Sequence, residues 1–187
     1  MAALEKDIRY TFADYYSWDD GKRWELIDGL LYDMSAAPSP THQSLLGNLF
    51  MEIHSFLKGK PCKAYLAPFD VRLFGKGDEE RTVLQPDITV VCDRSKIDKK
   101  GCNGAPDMVV EILSPYSVRH DMLTKFQLYR QAGVREYWVV NPEEKILTIH
   151  LLEDGDYKTS VYGEEDSVDV NMLEGCVVYL GDVFTDL

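Results

Sequence analysis

Hydrophobic and polar positions change period several times along the chain, and each change marks an element. Between Arg23 and Met34, runs containing Trp24 and Leu26, then Leu30 and Tyr32, flank Asp28-Gly29, a two-residue turn signal that predicts a β-hairpin. Ser39-Pro40 supplies a cap and a first-turn proline. Leu45, Leu46, Leu49, Ile53, Phe56 and Leu57 then fall in one stripe, which predicts a helix to about Lys58. Strands follow at about 63–74, 82–92 and 106–114, then a helix from about Ser117 to Ala132 closed by Gly133. Glu136 to Val140 reads as a further strand, and a second hairpin, Lys145 to Tyr162, turns at Asp154-Gly155. Two proline-started runs, PDITVV from Pro86 and PDMVVE from Pro106, echo each other, as suits proline at a strand's first position. Many short apolar runs with only two good helices predict an α/β domain with a mixed sheet.

The 187 residues contain no repeat, low-complexity tract or Pro/Gly/Ser-rich linker, so a single domain, 1–187, is expected. With 45% hydrophobic and 28% charged residues, disordered, collagen-like and coiled-coil classes are excluded. No apolar run is long enough for a membrane helix and the first ten residues lack an apolar signal region, so the expected compartment is the cytoplasm. Cys62, Cys92, Cys102 and Cys176 stand singly without a CxxC pair, which predicts reduced thiols and no zinc knuckle. The net charge of −12 opposes non-specific attraction to a polyanion. Two local basic clusters stand against it, Lys58, Lys60 and Lys63, and Arg94, Lys96, Lys99 and Lys100.

Candidate chemistry lies where polar residues interrupt apolar patterns, because an unpaired buried charge costs several kcal/mol and needs a reason. Glu111 is the only carboxylate in Met108-Val109-Val110-Glu111-Ile112-Leu113, a run apolar on both faces as in a central strand. Asp87 opens the strand Ile88-Thr89-Val90-Val91, and two carboxylates on neighbouring strands can share a divalent cation. Asp107 shares a face with Glu111 but, at a loop–strand boundary, is expected to be solvated. Lys125 falls on the axis of the stripe formed by Val118, Met122, Phe126 and Tyr129, so it points towards the core. A snorkelling stem or a pair with Asp121 one turn earlier gives a structural account of it. If the helix packs back along the preceding strand, Glu111 lies about 10 Å below the strand end at Ser114. Lys125 lies about 12 Å back along the helix from Ser117, so the two arrive level. His42 lies on its helix's apolar axis, where a satisfied core or cap role competes with a functional one. Glu25, between Trp24 and Leu26, reads as a surface-facing acid or a weaker candidate.

Asp87, Glu111 and Lys125, arriving on strand, strand and following helix, resemble the catalytic set of the PD-(D/E)XK nuclease superfamily. Pro86-Asp87 matches the first half of that motif. Glu111-Ile112-Leu113 matches the second in part, with Leu113 where lysine is usual and Lys125 placed as in branches that draw the lysine from the next helix. More closely, the chain resembles the Uma-type family of restriction-endonuclease-like proteins. The likeness runs through Glu25-Leu26-Ile27-Asp28-Gly29, His42-Gln43, Gln85-Pro86-Asp87, Glu111-Ile112-Leu113-Ser114-Pro115, Asp121, Lys125, Tyr129 and Gly133-Val134-Arg135-Glu136-Tyr137-Trp138. It covers most of residues 10 to 185.

The resemblance implies a restriction-endonuclease-like mixed sheet flanked by helices with added hairpins, Mg²⁺ dependence and frequent homodimers. On that basis Asp87, Glu111 and the main-chain carbonyl of Ile112 would hold one Mg²⁺ or Mn²⁺. Lys125 would position water or stabilise charge on the phosphate. His42 and Glu25 would order a second metal or a water, with Tyr129 and Gln85 as supports. The expected activity is hydrolysis of nucleic-acid phosphodiesters, DNA in the first place. The alternative, which the acidic surface favours, is a non-catalytic dimeric binding or scaffold protein, and hydrolysis of another phosphate ester is a third option.

Overall fold

A computed structural model describes residues 8–34, 37–114 and 120–185. Helix α1 (Phe12–Tyr16) precedes the hairpin β1 (Trp24–Ile27) and β2 (Leu30–Asp33), after which α2 runs over Pro40–Leu57. Then come β3 (Lys63–Leu66), β4 (Val71–Arg72), β5 (Val83–Leu84), β6 (Ile88–Val91), β7 (Ile97–Asp98), β8 (Gly101–Asn103) and β9 (Met108–Ile112). Helix α3 (His120–Ala132) leads into β10 (Glu136–Asn141), β11 (Ile146–Glu153), β12 (Asp156–Gly163), β13 (Ser167–Asp169), β14 (Val177–Tyr179) and α4 (Leu180–Val183).

Both hairpins turn where the sequence places them, with Asp28, Gly29, Asp154 and Gly155 all at positive φ. The cap of α2 also holds, Ser39 accepting a hydrogen bond from the His42 amide at 3.2 Å. The start of the second predicted helix, from Ser117 to Arg119, lies outside the described residues. The predicted strands 63–74 and 82–92 do not persist as single strands. Each splits into two short strands belonging to different sheets, β3 and β4, then β5 and β6. The breaks fall at Pro68 and Pro86, since proline has no N–H to continue a ladder.

Two six-stranded sheets result, in the orders β12-β11-β10-β9-β6-β3 and β2-β1-β5-β4-β8-β7. The first is mixed, with β9 parallel to β10 and antiparallel to β6. Alternation in β9 sends Met108, Val110 and Ile112 into one core with Leu45, Leu49, Ile53 and Leu57 of α2. It sends Val109 into the other, with Leu128 and Tyr129 of α3 and Val71 and Leu84 of the second sheet. Glu111 follows Val109 by two residues and therefore faces α3. No helix among the described residues is long and apolar enough to cross a membrane.

The cysteine expectation is corrected. Cys62 and Cys92 form a disulfide, with their Cα atoms 3.8 Å apart, while Cys102 and Cys176 are free and buried. Lys63 pairs with Val91, so Cys62 and Cys92 are the next positions outward. Their sequence separation of 30 conceals a contact that arises only when β3 folds onto β6. Asp107 is also unlike the expectation. Its side chain is 13% exposed, it pairs with Arg135, and it accepts a hydrogen bond from the Cys92 amide at 2.6 Å, joining strand ends instead of facing solvent. Chain unfolded without reductant should titrate two thiols, Cys102 and Cys176, rising to four after reduction. Four before reduction would remove the crosslink.

Candidate active site

The β6–β9 ladder ends beside the functional candidates. Ile88 pairs with Val110, so continuing the register sets Asp87 against Glu111 and Pro86 against Ile112. Leu113 donates its amide to Val140 of β10, so the main-chain groups of Ile112, one residue earlier, face the other way, towards β6. The Asp87 Oδ2 accepts the Ile112 N–H at 2.7 Å. The ladder stops here, since Pro86 has no N–H with which to extend it, and the Ile112 main chain also interacts with His42. His42, in the first turn of α2, brings Nε2 to 3.3 Å from the same Asp87 oxygen. This hydrogen bond, ahead of the opposing effect of burial, raises the His42 pKa, and the Ile112 main chain adds to it.

Lys125 points into the protein, as its stripe predicts, and is 4% exposed. Its Nζ donates to Glu111 Oε1 at 3.0 Å and to Glu25 Oε1 at 3.1 Å. Burial works against the charge, but the two carboxylates outweigh it and hold the Lys125 pKa well above the usual lysine value. The side chain is therefore a fixed cation and not a base. Tyr129, one turn on, donates its hydroxyl to the same Glu111 oxygen at 2.7 Å, so both anchors of Glu111 use Oε1. The side chain of Asp121, the alternative partner for Lys125, lies outside the described residues.

Glu25 departs from the sequence reading. It is fully buried, and besides Lys125 it accepts the Gln85 amide at 2.8 Å, while its Oε2 has no hydrogen-bond partner. The sequence held a signal for this, because Trp24-Glu25-Leu26-Ile27 is a single carboxylate in an apolar run, the same pattern that singles out Glu111. Gln85 is buried too, and its side chain joins Arg23, Tyr15 and Asp70. Those three residues come from separate segments and carried no local signal.

Gln85, Glu25, Lys125, Glu111 and Tyr129 thus form one bonded group, and His42 with Asp87 forms a second beside it, attached through the Ile112 amide that follows Glu111. The family described as Uma2, putative restriction endonuclease, matches residues 12–180. The chain belongs to the Uma2 family. It is 26% identical over 164 residues to an uncharacterized protein of Synechocystis sp., covering 86% of this chain and 84% of that protein. It superposes with a TM-score of 0.74 and 20% identity on the crystal structure of "a putative nuclease belonging to DUF820" from Anabaena variabilis, over 93% of this chain and 97% of that one. The restriction-endonuclease-like α/β fold expected from the sequence is the fold of this Uma2 chain.

A divalent ion fits the donor chemistry of this Uma2 site, although among the described residues no group of three or more His, Cys, Asp and Glu side chains forms a metal cage. Two carboxylates and a main-chain carbonyl are all oxygen donors. Mg²⁺ commonly takes only one or two carboxylates and keeps water or substrate phosphate for the rest. Electrostatics points the same way. Burial pushes the Glu111 pKa up to about 7, Lys125 works against the rise, and Asp87 and Glu25 add to it. Asp87 and Glu25 both disfavour the charged form of Glu111, and an added cation would favour it.

Two predictions follow from these charges. Removing the ammonium in Lys125→Met leaves Glu25 and Glu111 buried without their cation, at a cost of about 3–5 kcal/mol near neutral pH. Stability should return on acidification as the carboxylates take up protons, and urea melts across pH measure both; a pH-independent loss would count against the ion pair. In the parent, the raised Glu111 pKa means stability falls as pH rises from the ordinary carboxylate range to about 7. Mg²⁺ should accordingly raise Tm more at about pH 8 than at about pH 5, and Glu111→Gln should lose the difference.

Proposed function

We propose that this protein is a metal-dependent nuclease that hydrolyses phosphodiester bonds of DNA. The observation that carries the reading is the buried Lys125 ammonium clamped by Glu111 and Glu25 beside the Asp87–Ile112 strand ends. Asp87, Glu111 and the Ile112 carbonyl are the groups that would hold Mg²⁺ or Mn²⁺. Such an ion supplies, when bound, polarisation of a phosphoryl oxygen and a water of lowered pKa.

The remaining work belongs to the chain. His42 and the Ile112 amide both take Oδ2 of Asp87, which orients the carboxylate and leaves Oδ1 for an ion. Lys125 and Tyr129 both take Oε1 of Glu111, with the same effect on Oε2. A permanent Lys125 cation suits stabilisation of charge that grows on the phosphate, at no cost in proton transfer. Glu25 keeps that ammonium aimed, so it is a positioning residue in this reading, as are Tyr129 and His42. Residence in the cytoplasm and a homodimer complete the proposal. For the dimer, the outer strand β12, with Val161 62% exposed, offers a second copy an edge to pair with.

Supercoiled plasmid incubated with Mg²⁺ or Mn²⁺ should be nicked or linearised, and a chelator should stop the reaction. Asp87→Asn, which keeps the size and most hydrogen bonds of the side chain, should lower the rate by roughly 100-fold or more. Absence of cleavage with every divalent ion tried would favour the binding-protein reading, to which the net charge of −12 lends weight.

A further inference from the structure

The net charge makes the route of a polyanion to this site a question in its own right, and the molecule carries one place suited to it. A hollow of about 490 Å³ lies between the α1 segment, the start of the first hairpin and the loops around Pro68 and Lys99. Lys22, Arg23, Lys99 and Lys100 converge on its wall, with the rings of Tyr16 and Phe69. These cations come from two separate stretches of chain. The acids in the wall are already engaged. Asp98 is paired with Arg72 at 2.6 Å, and Asp70 accepts hydrogen bonds from Gln85 and Tyr15 at 2.8 and 3.0 Å. Among the described residues neither Lys22 nor Lys99 makes a salt bridge; Lys22 Nζ lies 5.3 Å from the Trp24 ring centroid with Asp20 nearby, and Lys100 is paired with Asp78 at 2.8 Å. Tyr16 is 51% exposed, a large share for an aromatic ring, and Lys100 Nζ lies 4.9 Å from its centroid.

Gln85 ties this hollow to the catalytic group. Its side chain lines the wall and accepts from Arg23 at 3.0 Å, while its amide donates to the Glu25 oxygen that also binds Lys125. Two residues further along the chain is Asp87. The wall and the reactive group are therefore joined by hydrogen bonds through one buried residue.

We propose that this hollow is the seat of a single nucleic-acid strand next to the scissile phosphate, with phosphates on Lys22, Arg23 and Lys99 and a base against Tyr16 and Phe69. Clustered cations supply the sequence-independent attraction, and the exposed Tyr16 ring, beside the partly buried Phe69 that stacks on Tyr65, supplies stacking, the combination by which single strands are held. The Lys58 to Lys63 cluster has no part in it. The inference rests on the nuclease reading for its orientation but not for its test, which is made without a divalent ion.

The test is fluorescence anisotropy of a labelled single-stranded oligonucleotide titrated with the intact protein in chelator at low salt. The parent should bind, and Lys22→Ala/Lys99→Ala should bind about tenfold more weakly. Its plot of log affinity against log salt should be shallower by about 1.4, at about 0.7 for each phosphate contact. The pair Lys58→Ala/Lys63→Ala changes the net charge equally and should leave both quantities near the parent. No binding by the parent, or equal losses in the two pairs, overturns the proposal. Normal binding without cleavage in Mg²⁺ overturns the nuclease reading and leaves this surface standing.

Discussion

The molecule is organised around one buried ammonium. Lys125 is buried away from bulk solvent, so it requires the carboxylates of Glu25 and Glu111, which come from the first hairpin and the central strand. Those acids in turn tolerate burial only because the amine is there. Three elements far apart in sequence, β1, β9 and α3, are thus held in one mutual arrangement, with Tyr129 and the Gln85 amide taking further lone pairs. Ion pairs of this kind contribute little net stability because desolvation offsets attraction, but loss of one partner is costly. What such a pair enforces is register: a helix turned by one residue would carry Lys125 off the axis and leave two charges without a counter-ion.

The exchange of chain between the two sheets brings Glu25 within reach. The segments around Pro68 and Pro86 each leave one sheet and enter the other, so β5 pairs with β1 while β6, three residues later, pairs with β9. Gln85 and Asp87 stand on either side of Pro86 at this crossing. The same proline has no N–H to extend the ladder with β9, which ends the pairing beside the Ile112 main chain. Irregularity of this sort is costly unless neighbouring groups compensate, and here the Asp87 carboxylate takes the Ile112 amide that the ladder would otherwise have bonded.

Charge is distributed with a similar division of labour. The surface as a whole is acidic, yet the hollow beside Gln85 gathers cations from two stretches while its acids are bonded to neighbouring side chains. A protein of this kind need not be basic overall to meet a phosphate chain, because at moderate salt the field of exposed charges decays over about 8–10 Å. What a strand meets is the local wall.

Local signals were enough for a great deal. Both hairpin turns, the cap and stripe of α2, the central run holding Glu111 and the inward aim of Lys125 are consequences of turn chemistry and periodicity, which act over a few residues and survive in any context. The family likeness likewise rests on motifs read along the chain. Other features required tertiary contact. The burial of Glu25, the pairing of Cys62 with Cys92, the engagement of Asp107 by Arg135 and the split of two predicted strands between sheets each depend on which segment lies alongside which. Sequence determines what each segment can hide and where it can turn. Only the folded chain decides which charge meets which, because a buried ion finds its partner across space and not along the backbone.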